Sequence, residues 1–244
     1  MLRCPVLAAE ASAPPVPAVS ASTGAFIEVD RLYLQRQLEG NLERSNALLE
    51  ERLRSASDDP DALWRLGRGL TRLAERRKAP RERLELFERA RLLLERSLSL
   101  REASADAHFW LGLALGRVGQ TRGMLRSLFL VGPIKENMRR AIALDPGHGG
   151  AHHVLGEMLR QLPGFAGGSK KRAISELETA VRLSPDWTAN YPALAEAYLD
   201  AGERAKAVET LRRAFAVTAP ADPGEHEENL QDARGMLLKL GEKP

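Results

Sequence analysis

The 244-residue chain has a single cysteine, Cys4, so one copy can build neither an internal disulfide framework nor a cysteine metal site. Aromatic residues are scarce, at 5% of the chain, which removes the interleaved stacking residues of a nucleic-acid surface. Long apolar runs are missing too. The longest candidate, Met124–Ile134, carries Arg126 and falls well short of the roughly 18 residues of a membrane helix. Nor does one sign of charge prevail: 36 basic residues face 33 acidic ones, for a net charge of +3. The signs are interleaved, as in Arg81-Glu82-Arg83, which is how solvated helix faces are written. The β-branched alternation of strands is nearly absent, and the 43% of apolar residues recur at helical spacing instead.

What is present is a spacing. Leu194-Ala195-x-x-Tyr198, then Gly202, then Ala207-x-x-x-Leu211-x-x-Ala214-Phe215, then Pro220, describes two helices joined by a tight turn. Ala195 is small because two helices cross there, and Gly202 supplies a turn conformation that a Cβ opposes. Pro220 bars continuation of the second helix. This is the pattern of a tetratricopeptide (TPR) hairpin, a unit of about 34 residues that cannot bury its apolar face alone.

Neighbouring units lie upstream. Leu155-Gly156-x-x-Leu159 pairs with Ala173-x-x-x-Leu177-x-x-Ala180, and Leu111-Gly112-x-x-Leu115 pairs with Ile134-x-x-x-Met138-x-x-Ala141. Leu66-Gly67-x-x-Leu70 pairs with Ala90-x-x-x-Leu94-x-x-Ser97. The interval from the small residue to the second helix is 12 residues from Ala195 to Ala207, but 17 from Gly156, 22 from Gly112 and 23 from Gly67. The expectation is that the extra residues fall in the turns and gather along one edge, where inserted material often carries function. Arg76–Glu85 is expected as an exposed charged turn broken by Pro80. The segment from Gln120 to Pro133 is apolar for a loop, and Leu125, Leu128, Phe129 and Val131 must pack on the chain itself, on a ligand or on another subunit.

Taken in order, residues 1–25 form an Ala/Pro/Ser-rich segment that reads either as the remnant of an export signal or as a disordered tail. Residues 26–220 form the solenoid, with one or two amphipathic helices over Val29–Ser55 as its N-terminal cap. Residues 221–244 supply a C-terminal capping helix, which the last hairpin needs to cover its apolar side. The expected fold is therefore an all-α TPR solenoid of four hairpins with capping helices at both ends.

No nucleophile–base pair, dinucleotide fingerprint or phosphate loop is present; the glycines before Ser169-Lys170 lack the phosphate-loop spacing and follow a helix. An enzyme, a cofactor and a metal site are not expected. His153 and Glu157 lie one turn apart without a third ligand, and His108 and His152 take a core position of their helices. The first helix of each unit should line the concave groove with Trp64, Arg68 and Arg72, then Phe109, Leu113 and Arg117, then His153, Glu157 and Arg160. Aromatics beside arginines suit an amphipathic anion or a carboxylate-bearing peptide. The alternative is that these arginines only solvate the groove or pair with its acids.

Beyond the repeats, Ala107–Arg117, Gly132-Pro133-Ile134, Ala141–Pro146, Ala151–Gly156 and Pro163-Gly164 with Gly167-Gly168 resemble the TPR proteins associated with TRAP transporters. They are also similar to the regulator-of-microtubule-dynamics family. The first resemblance implies a periplasmic or envelope lipoprotein that self-associates, partners a solute-binding protein and assists hand-off of a small organic anion. A cytoplasmic adaptor whose groove binds a peptide of a partner protein is the competing expectation. Neither involves nucleic acid or a transmembrane segment.

Overall fold

The computed structural model describes residues 24–123 and 128–243. The N-terminal segment with Cys4, and Leu125 of the apolar insert, lie outside the described residues. Among the described residues there are eleven α-helices and no strand. After a short 3-10 turn at Gly24–Phe26 come α1 (Ile27–Leu34), α2 (Asn41–Ser55), α3 (Pro60–Glu75), α4 (Pro80–Leu100) and α5 (Ala105–Arg122). Then follow α6 (Val131–Leu144), α7 (Gly149–Gln161), α8 (Lys170–Leu183), α9 (Asn190–Asp200), α10 (Arg204–Ala214) and α11 (Pro223–Lys239). The hairpins α3–α4, α5–α6, α7–α8 and α9–α10 stack in order, each packed on the next.

Local chemistry starts these helices. Asp59 caps α3 by accepting from the amides of Asp61 (2.9 Å) and Ala62 (3.1 Å), with Pro60 in the first turn, where its missing N–H costs nothing. Ser104 and Ser169 cap α5 and α8 in the same way. Gly202, at φ +81°, makes the turn between α9 and α10.

One contact recurs in each unit. A Cβ on Gly67 would sit 2.6 Å from Leu94, on Gly112 2.2 Å from Met138, and on Gly156 2.5 Å from Leu177. In the last unit Ala195 fills this place, fully buried in one cluster with Leu211. The small residue lets the backbone of the first helix rest on a large side chain of the second, and those large side chains are the fully buried centre of each hairpin.

Much of the added length is spent as helix rather than loop. Pro80 does not break a turn; it opens α4, in the first-turn position proline tolerates, and α4 runs 21 residues. The added turns carry Phe87, fully buried against Ala74 and Val118. Likewise α5 continues to Arg122 and α6 begins at Val131, so both ends of the expected Gln120–Pro133 loop are helical.

The first and last helices of the described array meet. α11 packs on the last hairpin and also touches α1. Arg36, 2% exposed, donates to Asp222 at 2.6 Å and lies 3.5 Å from Glu225. Glu225 also pairs with Arg72 of α3 at 2.6 Å, and Arg72 pairs with Glu75 at 2.9 Å. Glu75 in turn holds Arg117 of α5 at 2.7 Å. Burial alone would raise the Glu75 carboxyl, but Arg72 and Arg117 outweigh it and hold the pKa below the usual carboxylate value.

Gly156→Leu is expected to cost roughly 1–3 kcal/mol through overpacking against Leu177, lowering the thermal midpoint by several degrees. Gly235→Ala, in α11 with open space around the new methyl, should gain about 1 kcal/mol. Circular dichroism melts check both; equal midpoints for Gly156→Leu and wild type would refute the helix-crossing role of Gly156. Glu75→Gln should cost roughly 2 kcal/mol at neutral pH by leaving buried Arg72 and half-buried Arg117 each short of a partner. Because the folded-state pKa of Glu75 is depressed, its contribution is complete above the ordinary carboxylate value and is lost as pH falls through the depressed one. The gap between wild-type and Glu75→Gln midpoints should therefore narrow steadily on acidification below about pH 4.

Candidate functional site

The first helices of successive units, α3, α5, α7 and α9, touch one another in sequence and form the inner surface. All nine residues expected along the groove lie on three of them. Their surroundings differ from one end to the other.

At the N-terminal end the chain covers its own groove. Asp30 of α1 accepts from Arg65 at 3.2 Å and from Arg68 at 2.7 Å, and the Arg68 guanidinium stacks 3.7 Å from the Tyr33 ring centroid. Tyr33 meets Trp110 edge-on at 6.4 Å, and Trp110 meets Phe109 at 5.3 Å in the same manner. Trp64 and Phe109 are thereby buried in the core rather than open to a ligand. The sequence places this helix in the N-terminal cap but does not reveal that it covers the groove, although Asp30 and Tyr33, three residues apart on α1, share a face.

Further along, each remaining arginine is answered by a carboxylate of the chain. Arg72 has Glu75 and Glu225, and Arg117 has Glu75. Arg160 has Glu157 at 3.0 Å, Glu196 at 2.6 Å and Asp200 at 3.3 Å. A free organic anion would have to displace a partner already in place, so the arginines give no independent support to the expected anion. The pairing alternative describes them better.

His153 is half-buried, its ring 4.8 Å from that of Trp187, and burial pushes its imidazole pKa down. The Asn190 amide nitrogen donates to Ala180 O and Ser184 O. Its oxygen must therefore accept from His153 Nδ1 at 3.0 Å, which fixes the proton on Nδ1 of a neutral ring. His148 is occupied as well, since its Nδ1 accepts from the Ala151 amide and caps α7. Among the described residues no three His, Cys, Asp or Glu side chains gather as a metal site.

What stays open is a cleft of about 270 Å³ between α5, the start of α6, and α7. Leu113, Arg117, His153 and Glu157 converge there, joined by Val131, Val154 and Met158. Gln120 and Gln161 offer neutral hydrogen-bonding groups at its margin. Val131 thus belongs to the cleft wall, whereas Leu128 is 37% exposed and Phe129 84% exposed beside it. Phe165, 90% exposed on the α7–α8 turn just past Leu162 of the lining, is the residue the sequence reading passed over as part of a tight turn. Its signal was an aromatic in a Pro-Gly turn with no core position to fill. The arrangement can enclose one or two apolar side chains with charge-neutral flanks; it aligns no nucleophile with a base.

Among the described residues no helix is long and apolar enough to cross a membrane. Solved structures that share the fold include a thermophilic TPR protein of Thermus thermophilus, at TM-score 0.64 and 19% identity, covering 83% of this chain and 95% of that one. MamA from residue 41 to its end, of Desulfovibrio magneticus RS-1, aligns at TM-score 0.51 and 20% identity over 78% of this chain and 95% of that one. By sequence, regulator of microtubule dynamics protein 1 of Pongo abelii is 26% identical over 206 residues, 77% of this chain and 64% of the relative. The Mus musculus protein is 30% identical over 101 residues, 41% of this chain and 33% of the relative. Regulator of microtubule dynamics protein 3 of Bos taurus is 28% identical over 158 residues, 65% of this chain and 32% of the relative. The matched regions thus span from about a third to just under two thirds of these relatives. These matches carry the microtubule-regulator part of the resemblance and not the transporter-associated part. The family model for regulator of microtubule dynamics protein 1-3 matches residues 26–161, more than half of the chain, and the chain belongs to that family.

Proposed function

We propose that this chain is a partner-binding TPR module whose cleft between α5, α6 and α7 receives an apolar-anchored segment of another protein. One observation carries the reading. α1 covers the N-terminal end of the inner surface and ion pairs hold its arginines, while this cleft is lined by Leu113, Val131, Val154 and Met158, with exposed Phe129 two residues before Val131 and exposed Phe165 three residues after the lining Leu162. Large exposed aromatics beside an apolar cleft are costly in water and are what an interface uses as anchors. The relatives are named as regulators of microtubule dynamics, and a binding module accords with such a role. The envelope location, the solute-binding partner and the anion hand-off draw no support from these matches, and the reading stays with the protein-binding expectation.

Gly116 gives a clean test, because it lines the cleft and a Cβ there would meet only Ile134 Cδ1, at an ordinary 3.9 Å. Gly116→Leu should fill the cleft while leaving the helical melt at or above the wild-type value. Peptides selected by display on the wild-type protein and titrated calorimetrically should carry an aliphatic or aromatic anchor. Their affinity should fall at least about tenfold for Gly116→Leu, and similarly for Phe129→Asp, both with unchanged helicity. Undiminished binding by both variants would reject the cleft. Light scattering separates a second copy from a foreign partner: a mass that drops in Phe129→Asp would make the partner another copy of this chain.

A further inference from the structure

α7 has a second cleft on its other side, also of about 270 Å³, between α6, α7 and α8. Its apolar lining is Ile142, Leu155, Met158 and Leu159, and its polar lining carries Lys135 and Arg139 from α6 and Arg172 from the first turn of α8. The inner-surface arginines all have carboxylate partners, and Arg140, next to Arg139 on α6, is matched by Glu102. Lys135, Arg139 and Arg172 are different. Among the described residues none of the three has a carboxylate within ion-pair distance. The single acid of the cleft, Glu176, is held by His152 Nδ1 at 2.7 Å. The cleft therefore joins an apolar surface to an excess of positive charge that the described residues leave unanswered.

We infer that this outer cleft is a docking site for an acidic peptide segment of a partner protein, one apolar side chain seated on Leu155, Leu159 and Ile142 and its flanking carboxylates paired with Lys135, Arg139 and Arg172. Charge complementarity selects the occupant. The volume sits just under the roughly 300–1,000 Å³ of pockets that enclose a small molecule, so it suits one side chain rather than a whole cofactor. A bilayer calls for the reverse layout, apolar tips protruding ahead of the cations, whereas here the apolar atoms lie recessed between three helices. The cations come from two helices on either side of α7, which a segment of chain can bridge. This site stands apart from the inner cleft: Gly116, Leu113 and Arg117 do not line it.

The test uses a fluorescein-labelled peptide pool in which Asp and Glu flank a randomised aliphatic or aromatic anchor. A matched pool has Lys and Arg in place of the acids. Anisotropy with the full chain should show binding of the acidic pool alone, weakening as salt is raised. Lys135→Glu/Arg139→Glu, at positions that make no ion pair in the fold, should lower the affinity at least about tenfold with an unchanged melt. Leu155→Ser is excluded as a probe because it lies in the core, whereas Arg172→Glu provides an independent exposed position with the same expected direction. Gly116→Leu should leave the acidic pool bound as before. Equal binding of both pools, or full affinity in the charge-reversed variants, would overturn the inference. So would loss of the acidic pool on Gly116→Leu, which assigns those peptides to the inner cleft. Sedimentation with phosphatidylserine-containing vesicles that depends on Lys135 and Arg139 while the acidic pool fails to bind would overturn it in favour of a membrane surface.

Discussion

Every unit of this solenoid depends on one steric match, a residue with little or no side chain on the first helix against a Leu or Met on the second. Gly67 faces Leu94, Gly112 faces Met138, Gly156 faces Leu177, and Ala195 is buried with Leu211. The match sets the depth to which the helices of a hairpin interlock. It therefore also sets where the inner-surface residues of the first helix point, three before, one after and five after the small one. The inner surface is a consequence of that spacing: Phe109, Leu113 and Arg117 lie on one stripe because Gly112 is pinned at the crossing. Extra length between hairpin partners is then absorbed without disturbing the crossing, by lengthening helices at their far ends, as Pro80 and Phe87 do for α4.

A second constraint acts across units. Nearly balanced charge lets the inner surface neutralise itself, and it does so over long sequence intervals: Asp30 with Arg65 and Arg68, Glu75 with Arg117, Glu225 with Arg72. The last of these closes the structure, since it fastens α11 to α3 while Asp222 fastens it to Arg36. Arg36 and Arg72 are too deeply buried to be left single, so the terminal helix acts as the counter-charge of the first repeat as well as a cap on the last. Ends that bind each other limit how far the repeats can splay.

The features that could be read from the chain are those fixed locally or by a repeated spacing. The Leu-Gly pairs, the Asp59 and Ser169 caps and the left-handed Gly202 each follow from chemistry within a few residues. The fate of the inserts did not, because Pro80 is equally at home ending a segment or opening a helix, and burial of Phe87 decides between them. The covering of Trp64 and Phe109 by α1 was hidden for another reason. With 36 basic and 33 acidic residues, opposite charges more than thirty positions apart pair in too many ways for Asp30–Arg68 to announce itself. The cleft is legible only in part: Leu113, Arg117, His153 and Glu157 follow from the repeat register, whereas Phe165 depends on the path of a turn.

The distinction between the two sides of α7 rests on which charges are already satisfied. On the inner side Glu157 and Arg160 pair with each other and Arg117 reaches Glu75, so an incoming segment finds apolar walls and neutral edges. On the outer side Lys135, Arg139 and Arg172 line a cleft with Leu155 and Leu159 and have no carboxylate partner among the described residues. Desolvating a paired charge gains little, while an unpaired cation next to an apolar floor gains both a counter-ion and the burial of its stem. The inner cleft therefore discriminates by shape and the outer by charge. Met158 forms part of both walls, so any change to that side chain moves the two together. Only residues that belong to one cleft, Gly116 inside and Lys135 or Arg139 outside, can tell the surfaces apart.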